Sequence, residues 1–177
     1  MTHTFEAEYL ETPRLLLRKP VPADADAFMA FYKTDRSHMA GGPLCERKAW
    51  QAFAADFGHW AMLGFGRFIV TLKQSGAPVG LVGHYAPHPR PENEVGWVLF
   101  DRAYEGKGIA REAAQACIDY AWRVLEWDTI VSYIDARNTA SIRLAERLGA
   151  TLDQSAPQPK PDTPCLVYRH PRPEALI

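Results

Sequence analysis

The chain has 177 residues, 47% of them hydrophobic, which is enough for one domain spanning 1–177 with a sizeable core. Its 20 basic and 21 acidic side chains leave a net charge of −1, which excludes the basic footprint of a nucleic-acid binder or of a cationic membrane-surface protein. No stretch reaches the roughly 18 apolar residues of a spanning helix, and the acidic N-terminus MTHTFEAEYLETPRL lacks a signal core, so a cytoplasmic location is expected.

Taken in chain order, RLLLRK at 14–19 reads as a short strand that Pro20 and Pro22 break before a helix over 23–33. Phe28 and Phe31 or Tyr32 form the inner face of that helix. From 46 to 62, apolar residues recur at Trp50, Phe53, Ala54, Phe57 and Trp60, a helical spacing that Gly58 weakens near its end. Trp50, Phe53 and Trp60 are read as core rather than as a substrate cage. Strands over 67–73 and 79–85 follow, joined by the hairpin turn QSGAP and therefore antiparallel.

EVGWVLF at 94–100 is a further strand, with Gly96 expected as a bulge. A helix over 108–125 follows, its buried stripe being Ile109, Ala113, Ala116, Cys117, Tyr120, Ala121 and Val124. Next come a β-branched strand over 129–135, a helix over 138–148 closed by a left-handed Gly149, and a strand starting near Ala150. The proline-rich segment 153–164 should be a loop, and 165–169 the last strand. Cys45, Cys117 and Cys165 are odd in number, widely spaced and in no metal-ligand pattern, so free thiols are expected.

The turn YEGKGIA between the strand at 94–100 and the next helix is the most informative stretch. A nucleotide-hydrolase phosphate loop needs Ser or Thr after its Gly-Lys pair, and Gly108 stands there. A dinucleotide fingerprint needs a third glycine where Arg111 stands. What remains is a strand, a two-glycine turn and a helix whose first amides have no preceding carbonyl partner, a ready anion site. Gly106 and Gly108 would let the backbone close on a phosphate, and Ala110 keeps the wall shallow. A helix that simply starts after a glycine turn is the alternative.

EGKGIA resembles the acetyl-CoA pyrophosphate motif of the GCN5-related N-acetyltransferases, Gln/Arg-x-x-Gly-x-Gly/Ala: Gly108 and Ala110 match its last two fixed positions, and Glu105 stands where the family usually has Gln or Arg. LETPRLLLRKP, EVGWVLF and RNTASIRLAERLGA are similar to the RimJ/RimL-like branch, in the family's order. The resemblance implies an α+β fold, with a mixed, mostly antiparallel seven-stranded sheet flanked by helices, in which the strands at 94–100 and 129–135 run parallel and splay apart. It implies acetyl-CoA as cosubstrate and no metal. Gly106, Lys107, Gly108, Ile109, Ala110 and Arg111 would surround the pyrophosphate, and the backbone of Val98, Leu99 and Phe100 would pair with the pantetheine arm. Asn138 would contact that arm, although asparagine is also a preferred helix cap.

The implied reaction is direct attack by a neutral amine, either a protein N-terminus or a small-molecule amine. Glu94, two residues before Gly96 on the cofactor strand, is the first candidate for a base acting through a water. Where related enzymes place a glutamate five residues before the asparagine, this chain has Tyr133, the second candidate. Where many carry a proton-donating tyrosine seven residues after it, this chain has Ala145, so that role passes to Ser141 of the Asn-x-x-Ser pattern. A hydroxyl there would hydrogen-bond the thiolate rather than fully protonate it. His84 is expected to be hydrogen-bonded rather than catalytic. The first two helices and GGPLC at 41–45 would wall the acceptor side. The expected partner is a small-molecule or peptide amine, with a homodimer as a further option and no nucleic acid or membrane. A non-catalytic acetyl-CoA-binding or sensing domain is the alternative function.

Overall fold

The computed structural model describes residues 9–174; the first eight residues of the acidic N-terminal segment lie outside them. Along the chain run β1 (Tyr9–Glu11), β2 (Leu15–Arg18), α1 (Ala25–Tyr32), α2 (Glu46–Leu63), β3 (Arg67–Leu72), β4 (Pro78–Tyr85), β5 (Glu94–Leu99), α3 (Ile109–Arg123), β6 (Val131–Ile134), α4 (Thr139–Arg147), β7 (Thr151–Leu152) and β8 (Leu166–Arg169). The strands form one sheet in the order β1-β2-β3-β4-β5-β6-β8-β7, and β5–β6 is its parallel pair. The sheet has eight strands rather than the expected seven. The extra one is β1, three residues whose pairing with β2 from Tyr9↔Arg18 to Glu11↔Leu16 is made by tertiary contact rather than by any alternation in YLE. Among the described residues, no helix is long and apolar enough to cross a membrane.

Both faces of the sheet are covered, so its central strands have no solvent face. On β3, Phe68 and Val70 point into a cluster with Ile109, Ala113, Cys117 and Ala121 of α3, while Ile69 points the other way into Phe28, Phe31 and Phe53 of α1 and α2. Phe28, Phe31 and Tyr32 are all buried, as the spacing predicts.

The stripe read for α2 needs correction. Trp50 is 58% exposed, and the inward face is Ala49, Phe53, Asp56 and His59. Counting only apolar residues missed this face because two of its members are polar and satisfied internally. Asp56 receives Arg67 Nε and Nη2 at 2.9 Å each, and His59 donates from Nδ1 to Phe65 O at 2.7 Å while its Nε2 accepts from the Ala86 amide. Val124 likewise departs from the α3 stripe: it caps the helix end and is exposed. Removing one member of the Asp56–Arg67 pair leaves a buried cation alone, so Asp56→Ala is expected to cost about 3–5 kcal/mol of stability. Urea unfolding of the variant beside the wild type measures it.

The parallel pair parts almost at once, since Glu94↔Val131 is its one residue pairing. Past it, the Ser132 hydroxyl donates to Val95 O at 2.6 Å and accepts from His170 Nε2 at 2.9 Å, a side-chain link where the backbone ladder has ended. The expected bulge at Gly96 is absent. Register between β4 and β5 runs unbroken from Tyr85↔Glu94 to Gly80↔Leu99, and the irregularity of this region lies between Val70 and Thr71 on β3. The gap therefore opens because β6 diverges from β5, which itself stays regular.

Candidate active site

At one end of the gap is the glycine turn. After β5, Asp101 Oδ1 accepts from the Ala103 amide at 2.7 Å and starts a short turn, and the chain then passes through Gly106 (φ +71) and Gly108 (φ +76). Gly108 caps α3 in the left-handed conformation, and no side chain caps the helix. The amides of Ile109, Ala110 and Arg111 precede the first i→i−4 bond, Glu112 N to Gly108 O, and are left facing outward. The Ile109 side chain is core, so its contribution here is its amide; Lys107 and Arg111 are exposed beside the turn.

Arg14 holds this turn from the sheet. Its Nη1 donates to Lys107 O at 2.8 Å and its Nε to Glu112 Oε2 at 2.6 Å, while its backbone amide and the Thr12 hydroxyl both donate to Glu112 Oε1. Burial pushes the Glu112 carboxyl up, but the bonds from Thr12 and Arg14 outweigh it and keep the group below its ordinary value. Glu105 is paired with Arg36, whose Nη2 also donates to Leu99 O at 3.1 Å.

Strand β5 presents an alternating edge to the gap. The Phe100 amide donates to Val79 O, so Phe100, and Val98 by alternation, direct their backbone groups to β4. Val95 O and Leu99 O receive side-chain donors from the other side. Of the three residues expected to offer backbone toward the gap, Leu99 does so, and Trp97 joins it; Val98 and Phe100 contribute side chains, that of Phe100 packing on Phe31 at 5.6 Å.

Where β5 and β6 part lies a cavity of about 760 Å³ that gathers Glu94, Val98, Tyr133, Asn138 and Ser141. The turn and Leu99 lie outside its lining. Tyr32 and Ala52 of α1 and α2, Gly41 and Leu44, and the proline-rich loop through Pro159 and Lys160 close its sides. The Glu94 side chain is 12% exposed and has Arg90 Nη1 2.8 Å from Oε2. Burial raises its pKa, opposed by Arg90, Arg67 and the Tyr133 amide. Gly96 lies on the same face of β5, and a Cβ there would come within 3.4 Å of Glu94 Oε1.

The Tyr133 hydroxyl is buried without a hydrogen-bond partner, and burial pushes the phenol up to about 12. Ser141 Oγ accepts from Trp97 Nε1 at 3.2 Å, which leaves its own proton available. Asn138 caps α4 by accepting the Ser141 amide on Oδ1 at 3.1 Å, leaving Nδ2 without a protein partner among the described residues. Ala145 is fully buried in α4. His84 does not reach the cavity: its Nε2 bonds Cys117 O at 2.8 Å in the core, and burial lowers its pKa to about 4, so it is neutral. Among the described residues, no group of three or more His, Cys, Asp or Glu side chains could hold a metal ion.

Sequence reading missed Arg14, Arg36, Arg67 and Arg90. Arg14 stood in the matched segment ETPRLLLRKP but was read only as a strand residue, and Arg90 lies in APHPRPENE, which has no periodicity to flag it.

The model of the acetyltransferase (GNAT) domain family matches residues 14–151. The crystal structure of an acetyltransferase from Agrobacterium tumefaciens str. C58 is 37% identical, with a TM-score of 0.86 over 96% of this chain and 98% of that one. RimL, a ribosomal L7/L12 alpha-N-protein acetyltransferase in complex with coenzyme A, has the same fold at 16% identity and a TM-score of 0.71, over 92% of this chain and 96% of that one. The protein YkkB of Bacillus subtilis (strain 168) is 43% identical over 56 residues, 32% of this chain and 32% of its own, so the match spans about a third of that curated relative.

Proposed function

Since the chain belongs to the GNAT acetyltransferase family, we propose that it transfers the acetyl group of acetyl-CoA to a primary amine, of a protein N-terminus or a small molecule, by direct attack in a ternary complex. The observation that carries this reading is the cavity at the parting of β5 and β6, where Glu94, Tyr133, Asn138 and Ser141 converge.

The residues present suit the cosubstrate. Gly106 and Gly108 leave the outward amides of α3 open to a pyrophosphate, with Lys107 and Arg111 adding charge. The β5 backbone at Trp97 and Leu99 and the Asn138 side-chain amide would hold the pantetheine arm of bound acetyl-CoA. Bound acetyl-CoA supplies the acetyl group as a thioester: the amide N–C bond forms, the C–S bond breaks, and one amine proton is released.

Glu94 takes that proton, directly or through a water. A lysine-type amine, with pKa near 10.4, needs this help more than an N-terminal amine at roughly 7.7 to 8.0. Tyr133, held protonated by its raised pKa, donates a hydrogen bond rather than accepting a proton. Ser141 donates to the departing thiolate while Trp97 fixes its oxygen.

Ser141→Ala is accordingly expected to lower kcat about tenfold with acetyl-CoA affinity unchanged, because the lost bond forms mainly in the transition state. The cap on α4 comes from Asn138, not from this hydroxyl, so the melting temperature should stay near wild type. Steady-state rates and a melting curve on the same variant check both, and wild-type kcat would remove the role. The ternary mechanism is tested by initial rates with both substrates varied: intersecting double-reciprocal lines are expected, and parallel lines would mean a covalent acetyl-enzyme instead.

A further inference from the structure

On the reading of the cavity as the acetyl-transfer site, the residue beside Glu94 says what else the acceptor carries. Arg90 lies in the loop between β4 and β5 and lines the cavity. Its guanidinium lies 5.1 Å from the ring centres of both Tyr85 and Tyr133. Two such contacts fix the orientation of the guanidinium, whose donors point out along its edge. Its Nη1 lies 2.8 Å from Glu94 Oε2, an ion-pair approach without hydrogen-bond alignment, since Oε2 has no hydrogen-bond partner among the described residues. Nε and Nη2 have no hydrogen-bond partner among the described residues, although the side chain is only 23% exposed. A fixed guanidinium with a free edge in a substrate cavity matches a carboxylate, which it can hold through two parallel bonds.

The other charges around the cavity favour the same ligand. Arg67 lines it too and lies 4.7 Å from the Tyr85 ring, but Asp56 already takes its Nε and Nη2, so it adds field rather than a second fork. Lys160 enters from the proline-rich loop. Of the acidic residues in the lining, Asp135 is tied to Arg137 Nη2 and Nε at 2.7 and 3.0 Å, which leaves Glu94 to meet the amine. A base and an anion clamp in direct contact require an acceptor whose amine and anion are a few bonds apart. A polyamine would bring a second cation against Arg90.

We infer that the acceptor is a small amino carboxylate, an amino acid or a close homologue, and that Arg90 binds its carboxylate while Glu94 faces its amine. A peptide beginning with an acidic residue shares this chemistry, but the walls formed by the 41–44 segment and the proline-rich loop favour the free small molecule.

The test is acceptor-dependent thiol release from acetyl-CoA by wild type, Arg90→Gln and Arg90→Lys. The acceptors are glycine, β-alanine and γ-aminobutyrate, the corresponding amides, spermidine, and peptides beginning with Asp or Ser. Wild type should prefer at least one amino carboxylate over its amide by about ten- to a hundredfold in kcat/KM, the range for charge-assisted bonds. That ratio should collapse toward one in Arg90→Gln and recover in part in Arg90→Lys, which keeps the charge and loses the fork. A purely structural role would lower both rates and keep the ratio. Equal wild-type rates on acid and amide, a ratio unchanged in Arg90→Gln, or a preference for the Asp peptide or spermidine over every amino acid would each overturn the inference and leave acetyl transfer standing. No rise in thiol release with any of these acceptors would sink acetyl transfer itself, and the inference with it.

Discussion

Replacing Gly108 with valine is expected to weaken acetyl-CoA binding by about a hundredfold or more. Gly108 sits at φ +76, where a β-branched residue is strained by roughly 1–2 kcal/mol, and a Cβ there would stand 3.3 Å from Arg14 Nη2. The added side chain would push on the arginine that holds Lys107 O, in the turn that leads into the unbonded first amides of α3. Both effects remove the anion site and neither reaches the core. Calorimetric titration should show affinity lowered by about a hundredfold or more, equivalent to losing two charge-assisted bonds. Melting should be cooperative and only slightly earlier than wild type. Unchanged affinity in a folded Gly108→Val protein would show that the cosubstrate phosphates bind elsewhere.

Glu94→Gln should lower kcat about a hundredfold while leaving acetyl-CoA affinity in place. The sign of the pH dependence follows from burial. Glu94 ionises above its ordinary value, and only the ionised form accepts a proton, so the wild-type rate should rise with pH through that raised pKa and then level off. The variant should lack this acidic limb. The same burial means that ionised Glu94 costs the fold stability at pH above its unfolded pKa, so the variant should melt no lower than wild type at neutral pH. A low rate with an early melt would mark Glu94 as structural, and a wild-type pH profile would remove it as the base.

The fold was legible where local pattern and turn chemistry agree. The hairpin at Gly76, the α3 stripe from Ile109 to Ala121 and the left-handed Gly149 all follow from spacing. What stayed hidden depends on partners far apart in sequence. Strand β1 exists only against β2, the inward face of α2 is polar because Arg67 lies opposite Asp56, and the parting of β5 and β6 comes from divergence after Val131, not from Gly96. In the site, Glu94, Tyr133, Asn138 and Ser141 do come together. Arg90 was unreadable because an arginine in an aperiodic loop has the same local signature whether it points to water or into a cavity, and Arg67 read only as the first residue of a strand.

Acceptor-dependent release of free thiol from acetyl-CoA, followed with wild type and Glu94→Gln in parallel, is the most direct test of this site as a catalyst. Wild type should release thiol in proportion to an added primary amine and yield the matching N-acetyl product, while Glu94→Gln should bind acetyl-CoA with the same affinity and turn over about a hundredfold more slowly. Tight binding of acetyl-CoA by both proteins, with no amine-dependent thiol release from either, would contradict the account and leave a domain that binds acetyl-CoA without transferring its acetyl group.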